Sequence, residues 1–331
     1  MIDADTETDT DTDTDTDTDS NIPDSQTDAS QPRHFLEIDD LSHEELLTVL
    51  VRAAEFKRAQ QEGTAHEALS GQTLGMIFQK PSTRTRVSFE TGMTQLGGHA
   101  VFLGEDDIQL GRGEPLKDTS RTLSRYVDAV MARVFKHENI EVLAEYSSVP
   151  IINGLTDDAH PCQTLADLLT IREEMGGFED VSVAWVGDGN NVGQSFVIGA
   201  AMTDIDVTVA TPEGYGMDDA VIDRAQELGG DPTVTHDPVE AVTDADIIYT
   251  DVWISMGQED ERDVRMDAFE GFQVCSDLLA HAPDASVMHC LPAHRGEEIT
   301  DEAIESDQSI VFDQAENRLH AQKALLHWLL E

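Results

Sequence analysis

The stretch TLGMIFQKPSTRTRVSFETGMTQLGG, residues 73–98, contains an apolar run, a polar turn and an amphipathic segment in that order. The run TLGMIF is typical of a buried β-strand, and QKPS is typical of a turn. The remainder places apolar side chains at helical spacing and ends on two glycines, which predicts a helix with a defined C-terminus. Strand, turn and helix together predict a β–α unit of an α/β fold.

The turn and the helix start carry an unusual charge. Lys80, Arg84 and Arg86 lie close together, although the whole chain has 67 acidic and only 20 basic residues. Ser82 is predicted to cap the helix, whose N-terminus offers unpaired N–H groups and a partial positive charge. Arginine is unfavourable at a helix start unless an anion binds there, so the stretch predicts an anion site. The alternative is a capped helix with cations on its surface.

Strand-like runs alternate with amphipathic helices along the rest of the chain. The predicted strands are 73–78, 100–104, 128–135 and 149–153 in a first series, and 181–188, 206–212, 233–236, 246–252 and 286–290 in a second. This alternation is typical of parallel sheets covered by helices. We therefore predict an α/β fold of two domains, each a parallel sheet flanked by helices, with a first boundary near residue 155. Residues 1–32 are acidic and of low complexity, which predicts a disordered tail.

Acidic residues outnumber basic ones along the whole chain, and the formal net charge is −47. Such a surface repels itself unless salt screens it, and the screening length falls to about 3 Å near 1 M salt. The composition therefore predicts a halophilic protein. An acidic binding module is the alternative from a different class, but the concentrated basic stretch and the ordered β–α pattern argue against it. Nucleic acid is not an expected partner because no basic face is present.

The chain has no run of about 18 apolar residues, so we expect no membrane span and no membrane partner. Its N-terminus lacks the basic-then-apolar layout of a secretory signal. The chain contains only three cysteines, an odd number, and no C-x-x-C pair; they are Cys162, Cys275 and Cys290. This usage favours a reducing, cytoplasmic location without disulfides.

Two motifs suggest other chemistries. The glycines of VGDGNNVG, residues 186–193, are one residue off the dinucleotide fingerprint, and the next strand ends in Thr-Pro where an acidic residue is expected. A nicotinamide-dependent dehydrogenase is therefore disfavoured, and the two asparagines suggest ligands for a small polar molecule. HPCQ (160–163) and MHCLPAHRG (288–296) contain cysteine and histidine, but their spacing does not match a structural zinc site.

Eight motifs resemble those of ornithine carbamoyltransferases and occur in the same order: STRTR, DIQLGRGE, ARVF, HPCQ, VGDGNN, DVWISMG, HCLPAHRG and FDQAENRLHAQKALL. The resemblance runs from about residue 33 to the C-terminus. STRT and HP-x-Q are shared with aspartate carbamoyltransferase, whereas DVWISMG and HCLPAHRG resemble the second-substrate site of the ornithine branch. The implied reaction transfers the carbamoyl group of carbamoyl phosphate to the δ-amine of L-ornithine, with no metal or organic cofactor.

The resemblance also implies an architecture. Residues 33–155 would form a carbamoyl phosphate-binding domain and residues 156–313 an ornithine-binding domain, with the active site in the cleft between them. The C-terminal helix, 314–331, would pack back on the first domain. The active unit would be a homo-oligomer, a trimer or a multiple of trimers, in which Gln109 reaches the site of a neighbouring subunit.

The resemblance implies a ligand set for carbamoyl phosphate: Ser82, Thr83, Arg84, Thr85, Gln109, Arg133, His160, Pro161, Cys162, Gln163, Cys290, Leu291 and Arg318. Residues 82–85 would hold the phosphate, and Arg318 would complete the anion cage. Arg133 would bridge the phosphate and the carbonyl oxygen, with His160 assisting there. Gln163 and the backbone at 290–291 would orient the carbamoyl amide. Arg86 would instead hold two domains or two subunits together through a carboxylate.

The implied ligand set for ornithine is Asn191, Asp251, Ser255 and Met256. Asp251 would pair with the α-ammonium group, which leaves the δ-amine free to attack. Cys290 would orient or deprotonate that amine, and deprotonation requires the site to shift a thiol pKa of about 8.5. Arg133, His160 and Cys290 are thus the expected catalytic residues. The reaction would run towards citrulline in biosynthesis or backwards in arginine breakdown; carbamoyltransferases for putrescine or N-acetylornithine are the close alternatives.

Overall fold

The computed structural model describes residues 32–255 and 257–331. The predicted disordered tail therefore lies outside the described residues, apart from Pro32, and so does the predicted ornithine ligand Met256. The strands are β1 Thr73–Phe78, β2 His99–Gly104, β3 Ala129–Arg133, β4 Ile151–Leu155, β5 Ser182–Val186, β6 Asp206–Ala210, β7 Thr233–Thr235, β8 Ile247–Thr250 and β9 Ser286–His289. The helices are α1 His43–Gln61, α2 Thr83–Gln95, α3 Leu116–Leu123, α4 His137–Glu145, α5 Pro161–Met175, α6 Asn191–Ala201, α7 Asp219–Glu227, α8 Pro238–Val242, α9 Arg262–Ala268, α10 Ser276–Leu279, α11 Asp301–Ile304 and α12 Val311–Leu330.

The strands form two parallel sheets, ordered β2-β1-β3-β4 and β7-β6-β5-β8-β9. The strand order reverses between β1 and β3 in the first sheet and between β5 and β8 in the second. Loops at the carboxyl ends of such strands form the usual ligand crevice of α/β folds. The topology therefore confirms the predicted fold class and directs attention to the loops after β1, β3, β5 and β8.

The predicted strands are all present, with small differences at their ends. The largest concerns the run 149–153, which is shifted by two residues at each end because β4 spans Ile151–Leu155. The run 128–135 is also longer than its strand, since β3 ends at Arg133. Its pairing with β4 changes register between Ala132 and Arg133, so the regular ladder stops there. This end matters because Arg133 is a predicted site residue.

Helix α2 begins and ends as its sequence predicts. The Ser82 side chain accepts a hydrogen bond from the Thr85 N–H group, and Gly97 adopts φ +80° just after the helix. Gly98 lies where a Cβ atom would be 2.5 Å from Met93 Cε, so the close turn into β2 requires glycine. The cap and the turn together fix the position of the helix start relative to β1.

The hydrophobic core is continuous between the two sheets. One cluster of buried side chains contains Leu74 of the first sheet and Trp185 of the second, together with Leu165 of α5 and Leu325 of α12. Helix α12 packs on α5, α1 and α2, and α2 itself packs against β2. The C-terminal helix therefore contacts helices on the side of the first sheet. Among the described helices, none is long and apolar enough to cross a membrane.

Candidate active site

A cavity of about 910 Å³ is lined by loops that follow strands of both sheets. Residues at the ends of β1, β3 and β4 and in their loops supply one end, and loops after β5, β6, β8 and β9 supply the other. The predicted ligands that line it are Ser82, Thr83, Arg84, Arg133, Asn191, Asp251, Ser255, Cys290 and Leu291. The fold thus brings members of both predicted half-sites into one cleft.

The start of α2 builds the anion end of the cavity. Ser82 Oγ accepts a hydrogen bond from the Thr85 N–H group at 3.2 Å and donates to Thr85 Oγ1 at 3.1 Å. Arg84 donates through Nη2 to the Leu291 carbonyl oxygen at 2.6 Å, which ties α2 to the loop after β9. A helix N-terminus and a guanidinium group therefore border the same space, an arrangement suited to phosphate.

Four cations at this end, Lys80, Arg84, Arg133 and Arg318, form no ion pair with any carboxylate in residues 32–255 and 257–331. Arg133 is 6% exposed, and its Nε has no hydrogen-bond partner among those residues. Burial and the two nearest guanidinium groups lower the pKa of Arg133 to about 9. Burial and Arg133 also lower the pKa of Lys80. An anion in the cavity would relieve this repulsion.

His160 is a neutral imidazole beside these cations. Burial and the three guanidinium groups of this end hold the pKa of His160 well below its usual range. Its backbone N–H donates to Ser195 Oγ at 2.8 Å, and its Nδ1 has no partner within the described part of the chain. His160 lies outside the cavity lining, and its neutral ring adds no charge to this end.

Arg318 and Gln163 lie behind the residues that line the cavity. Arg318 donates to Gln163 Oε1 at 2.7 Å, to Thr85 Oγ1 at 3.3 Å and to Gln322 Oε1 at 3.0 Å. Gln163 is 1% exposed, so its amide orientation depends on protein partners. Hydrogen bonds therefore link Gln163 to Arg318, Arg318 to Thr85, and Thr85 to Ser82 in the cavity lining.

Pro161 and Cys162 are predicted ligands that the structure does not bring to the cavity lining. Pro161 is the first residue of α5, and the helix turns the Cys162 side chain into the core. Cys162 Sγ donates to the Asn153 carbonyl oxygen at 3.3 Å, and burial raises the pKa of this thiol to about 12. Cys162 is therefore a core cysteine rather than a reactive one.

Asp251 dominates the other end of the cavity and is 5% exposed. Its Oδ2 accepts a hydrogen bond from Asn190 Nδ2 at 2.8 Å, and its Oδ1 accepts one from Cys290 Sγ at 3.0 Å. Both donors are neutral, so the carboxylate has no cationic partner among the described residues. Asn191 donates to the Thr156 carbonyl oxygen at 2.6 Å, which leaves its own amide oxygen available to a ligand.

The structure argues against one predicted role of Cys290. Burial, followed by the charge of Asp251, raises the pKa of the Cys290 thiol far above its usual value. A proton acceptor would need the opposite shift, because only the thiolate accepts a proton. The thiol that donates to Asp251 is instead suited to orienting that carboxylate.

Asp188 and Arg265 also line this end, although neither was among the predicted ligands. Arg265 Nη1 lies 3.2 Å from Asp188 Oδ2 and donates to the Trp253 carbonyl oxygen at 2.9 Å. Burial raises the pKa of Asp188 to about 6, and Arg265 opposes that rise. Asp188 follows β5 within VGDGNN, so the sequence could have indicated it as a site residue. Arg265 belongs to no motif, and only the packing of α9 brings it to the cavity.

Gln109 and Arg86 lie outside the cavity lining. Gln109 is exposed in the loop after β2. Arg86 Nε is 3.0 Å from Glu90 Oε1 on the same helix, and its Cζ lies 3.8 Å from the ring centroid of Phe102. Among the described residues Arg86 pairs with a carboxylate one helical turn away on α2 and does not bridge the two sheets. The predicted bridge between two subunits through Arg86 stays a prediction.

The glycines of VGDGNNVG serve local packing. A Cβ atom at Gly189 would lie 2.4 Å from the Gly216 carbonyl carbon, and one at Gly193 would lie 2.7 Å from the Trp185 ring. The near-match to a dinucleotide fingerprint thus reflects close contacts of a loop and of α6.

His289 has no ring nitrogen left for a metal. Its Nε2 pairs with Glu298 Oε1 at 3.0 Å, and its Nδ1 accepts a hydrogen bond from the Leu291 N–H group at 2.9 Å. This histidine therefore supports the loop that follows β9 rather than offering a metal ligand.

Two domain families match the chain. Residues 33–173 match the aspartate/ornithine carbamoyltransferase, carbamoyl-P binding domain. Residues 179–329 match the aspartate/ornithine carbamoyltransferase, Asp/Orn binding domain. Together the two matches cover nearly all of the residues that the structure describes.

Two relatives with high sequence identity are both ornithine carbamoyltransferases. The ornithine carbamoyltransferase of Haloquadratum walsbyi is 65% identical over 297 residues, which are 90% of this chain and 97% of that protein. The anabolic ornithine carbamoyltransferase of Pyrococcus furiosus is 57% identical over 299 residues, 89% of this chain and 95% of the relative.

Solved structures agree with the sequence relatives. An ornithine carbamoyltransferase structure from Pyrococcus furiosus has a TM-score of 0.86 at 56% identity, covering 89% of this chain and 96% of that one. The structure from Thermus thermophilus has a TM-score of 0.82 at 44% identity, covering 91% and 99%. The similarity therefore extends over both sheets and over the cavity between their loops.

Proposed function

The chain belongs to the aspartate/ornithine carbamoyltransferase family, and we propose that it transfers the carbamoyl group of carbamoyl phosphate to the δ-amine of L-ornithine. The products are L-citrulline and phosphate. One observation carries the proposal. Within residues 32–255 and 257–331, a single cleft has cations that pair with no carboxylate at one end and Asp251, whose contacts are neutral donors, at the other. The first end suits a phosphate, and the second suits the ammonium group of an amino acid.

Carbamoyl phosphate occupies the anion end. Its phosphate accepts hydrogen bonds from the first turn of α2 and from Arg84. Arg133 lines the same cavity and bridges the phosphate and the carbonyl oxygen. Among the described residues its Nε has no hydrogen-bond partner, so the guanidinium group is not held by another protein acceptor at that atom. Because the donors are fixed before the substrate arrives, they stabilise the oxyanion that forms during attack without reorganising.

Ornithine occupies the opposite end. Its α-ammonium group pairs with Asp251, while Asn191 and Ser255 contact the rest of the amino-acid end. Asp251 is already oriented by Asn190 and Cys290, so little freedom is lost when the substrate binds. The δ-amine then extends towards the carbonyl carbon held beside Arg133.

The reaction does not need a protein side chain to accept the proton that the amine loses. The δ-amine resembles lysine, whose pKa is about 10.4, so only about one molecule in a few thousand is neutral at pH 7. The cation cluster disfavours the protonated amine near the carbonyl group. Attack forms the C–N bond and breaks the C–O bond to phosphate. The departing phosphate would be a trianion, and it takes the proton that the nitrogen loses.

The proposal is tested by an amine panel in about 2–3 M KCl, a range that screens the surface charge. Citrulline formation is measured with ornithine, and product formation is measured with putrescine, N-acetylornithine and aspartate at equal concentration. Turnover is expected with ornithine above all others. N-acetylornithine lacks the free α-ammonium group, putrescine lacks the α-carboxylate at the amino-acid end, and aspartate lacks a δ-amine. Folded protein with no citrulline, or with faster turnover of another amine, overturns the proposal.

Several broader features belong to the same proposal. We infer that residues 33–155 bind carbamoyl phosphate, that residues 156–313 bind ornithine, and that the enzyme works as a trimer or a multiple of trimers. The exposed position of Gln109 in the loop after β2 supports a role at a neighbouring subunit's site. A cytoplasmic location and adaptation to high salt fit the net charge of −47. The anabolic name of one relative favours the biosynthetic direction.

A further inference from the structure

Asp167 is a buried carboxylate that the reaction described above does not use. It lies on α5, has no exposed surface and does not line the cavity. Three neutral side chains donate to it: Gln163 Nε2 at 2.8 Å and Gln314 Nε2 at 2.7 Å, both to Oδ1, and the Tyr249 hydroxyl at 2.9 Å to Oδ2. A buried carboxylate is costly unless its oxygens accept such hydrogen bonds.

The donors connect Asp167 to both halves of the site. Gln163 uses its other amide atom, Oε1, to accept from Arg318 at 2.7 Å. Gln314 uses its Oε1 to accept from the His289 N–H group at 2.9 Å, immediately before Cys290. Tyr249 lies on β8, two residues before Asp251. One carboxylate therefore contacts the layer behind the anion end and the strand ends that carry the ornithine end.

The contacts of Gln163 depend on which way its amide faces. In the observed orientation the NH₂ group meets an acceptor, Asp167, and the carbonyl oxygen meets a donor, Arg318. Rotation of the amide by half a turn would set NH₂ against a guanidinium group, and a buried amide has no water to compensate. Asp167 is the acceptor that selects the observed orientation.

We propose that Asp167 is a positioning residue for carbamoyl phosphate, because it fixes the amide orientation of Gln163 that recognises the carbamoyl group. This inference rests on the proposed function. Three side-chain donors point at its two oxygens, so Asp167 acts as an acceptor. Burial raises the pKa of Asp167 to about 6, while these hydrogen bonds oppose the rise. Asp167 itself touches no substrate.

The test compares two substitutions of Asp167 with a control on the same helix. D167N keeps one oxygen that can accept from Gln163, whereas D167L has a similar size and no acceptor. The control is T170V: Thr170 is buried one turn further along α5, and its Oγ1 accepts from Asn317 of α12 at 3.0 Å. T170V therefore removes a buried contact between the same two helices without touching Gln163.

The readout is the ratio of two dissociation constants, for carbamoyl phosphate and for inorganic phosphate, each measured by calorimetry in molar KCl. Inorganic phosphate has no carbamoyl group, so the ratio reports the contacts of that group separately from those of the phosphate. We expect D167L to lose about tenfold or more of the preference for carbamoyl phosphate, about 1.4 kcal/mol, while D167N and T170V keep it within about threefold. Equal preference in D167L and the wild type overturns the inference, as does an equal loss in D167L and T170V.

A second pair of variants covers the case in which D167L does not fold. Q163E sets two carboxylates against each other, and we expect it to bind carbamoyl phosphate poorly. Adding D167N restores a donor beside the new carboxylate, so the double variant is expected to recover about tenfold in affinity. No recovery contradicts the inference. These binding measurements do not need ornithine, so absence of citrulline from the wild type would reject the proposed function separately.

Discussion

Arg84 and Arg86 lie two residues apart on α2 and have different surroundings. Arg84 lines the cavity and donates to the Leu291 carbonyl oxygen, whereas Arg86 pairs with Glu90 on the helix surface. We expect R84Q to raise the KM for carbamoyl phosphate by about 10–100-fold, since a hydrogen bond from a charged donor contributes about 1.5–3 kcal/mol. R86Q is the matched control and is expected to leave that KM nearly unchanged. Equal effects of the two substitutions would show that α2 acts only through its general charge.

Cys290 provides a prediction about pH. If its thiol does not accept the proton, kcat/KM for ornithine should rise with pH as the δ-amine deprotonates, until the α-ammonium group that Asp251 binds loses its own proton. We expect C290S to lower the whole profile, because Asp251 receives a different donor, and to leave its shape unchanged. Initial rates measured from pH 6.5 to 10 check this. Loss of an inflection near neutral pH in C290S would restore the thiol as a proton acceptor.

The sequence predicted side chains that belong to motifs and missed those that act through the fold. Ser82, Arg84 and Asp251 follow strand ends, where the βα pattern places ligands, and they line the cavity. Arg265 and Asp167 gave no such signal. Arg265 reaches the cavity only because α9 packs there, and the role of Asp167 depends on amide orientations that no sequence pattern records.

At the scale of elements, α12 carries an unusual buried cation. Lys323 has no exposed surface, and its Nζ contacts Gln60 Oε1 at 3.2 Å, Gln95 Oε1 at 2.8 Å and His66 Nε2 at 3.2 Å. Within the residues that the structure describes, no carboxylate pairs with it. Burial lowers the pKa of Lys323 to about 8. Holding the charged form in this place therefore reduces stability at neutral pH.

We expect K323M to be more stable than the wild type at pH 7. Because the folded-state pKa is below the value of 10.5 in the unfolded chain, the unfolded chain binds more protons between pH 8 and 10.5. The free energy of unfolding of the wild type should rise across that window, and the advantage of K323M should shrink. Urea unfolding at several pH values in molar KCl measures both.

Lys57 on α1 is the control for this prediction, since it pairs with Glu173 at 2.7 Å and also faces α12 through Asn317. K57M is expected to be less stable than the wild type at pH 7. If the gain in unfolding free energy of K323M did not change with pH, the charge of Lys323 would not be its cause, and the prediction would be wrong.

Elements were more predictable than their junctions. The apolar run 73–78 coincides with β1, because a buried parallel strand requires continuous apolar residues. The run 128–135 did not reveal that β3 ends at Arg133, because the change in register depends on its partner β4. The placement of α12 against α1, α2 and α5 was equally absent from local patterns, since its apolar residues fit either sheet.

At the scale of the whole molecule, the net charge of −47 acts on both substrates. Carbamoyl phosphate is a dianion and is repelled at long range, whereas ornithine is a cation near neutral pH. We expect the KM for carbamoyl phosphate to fall as KCl is raised towards about 1 M from the lowest concentration that keeps the fold, because salt screens the repulsion. The KM for ornithine should stay level or rise. Circular dichroism at each salt concentration confirms the fold, and a KM for carbamoyl phosphate that stays flat contradicts the prediction.

The central claim is that the two ends of one cleft hold two substrates separately, with Asp251 holding the α-ammonium group. The measurement that tests it most directly is the KM of D251N for ornithine and for carbamoyl phosphate, determined with the same preparation in molar KCl. The account predicts a KM for ornithine raised by about 10–100-fold, from the loss of a charged partner, with a KM for carbamoyl phosphate nearly unchanged. An unchanged KM for ornithine, or an equal rise for both substrates, would contradict it.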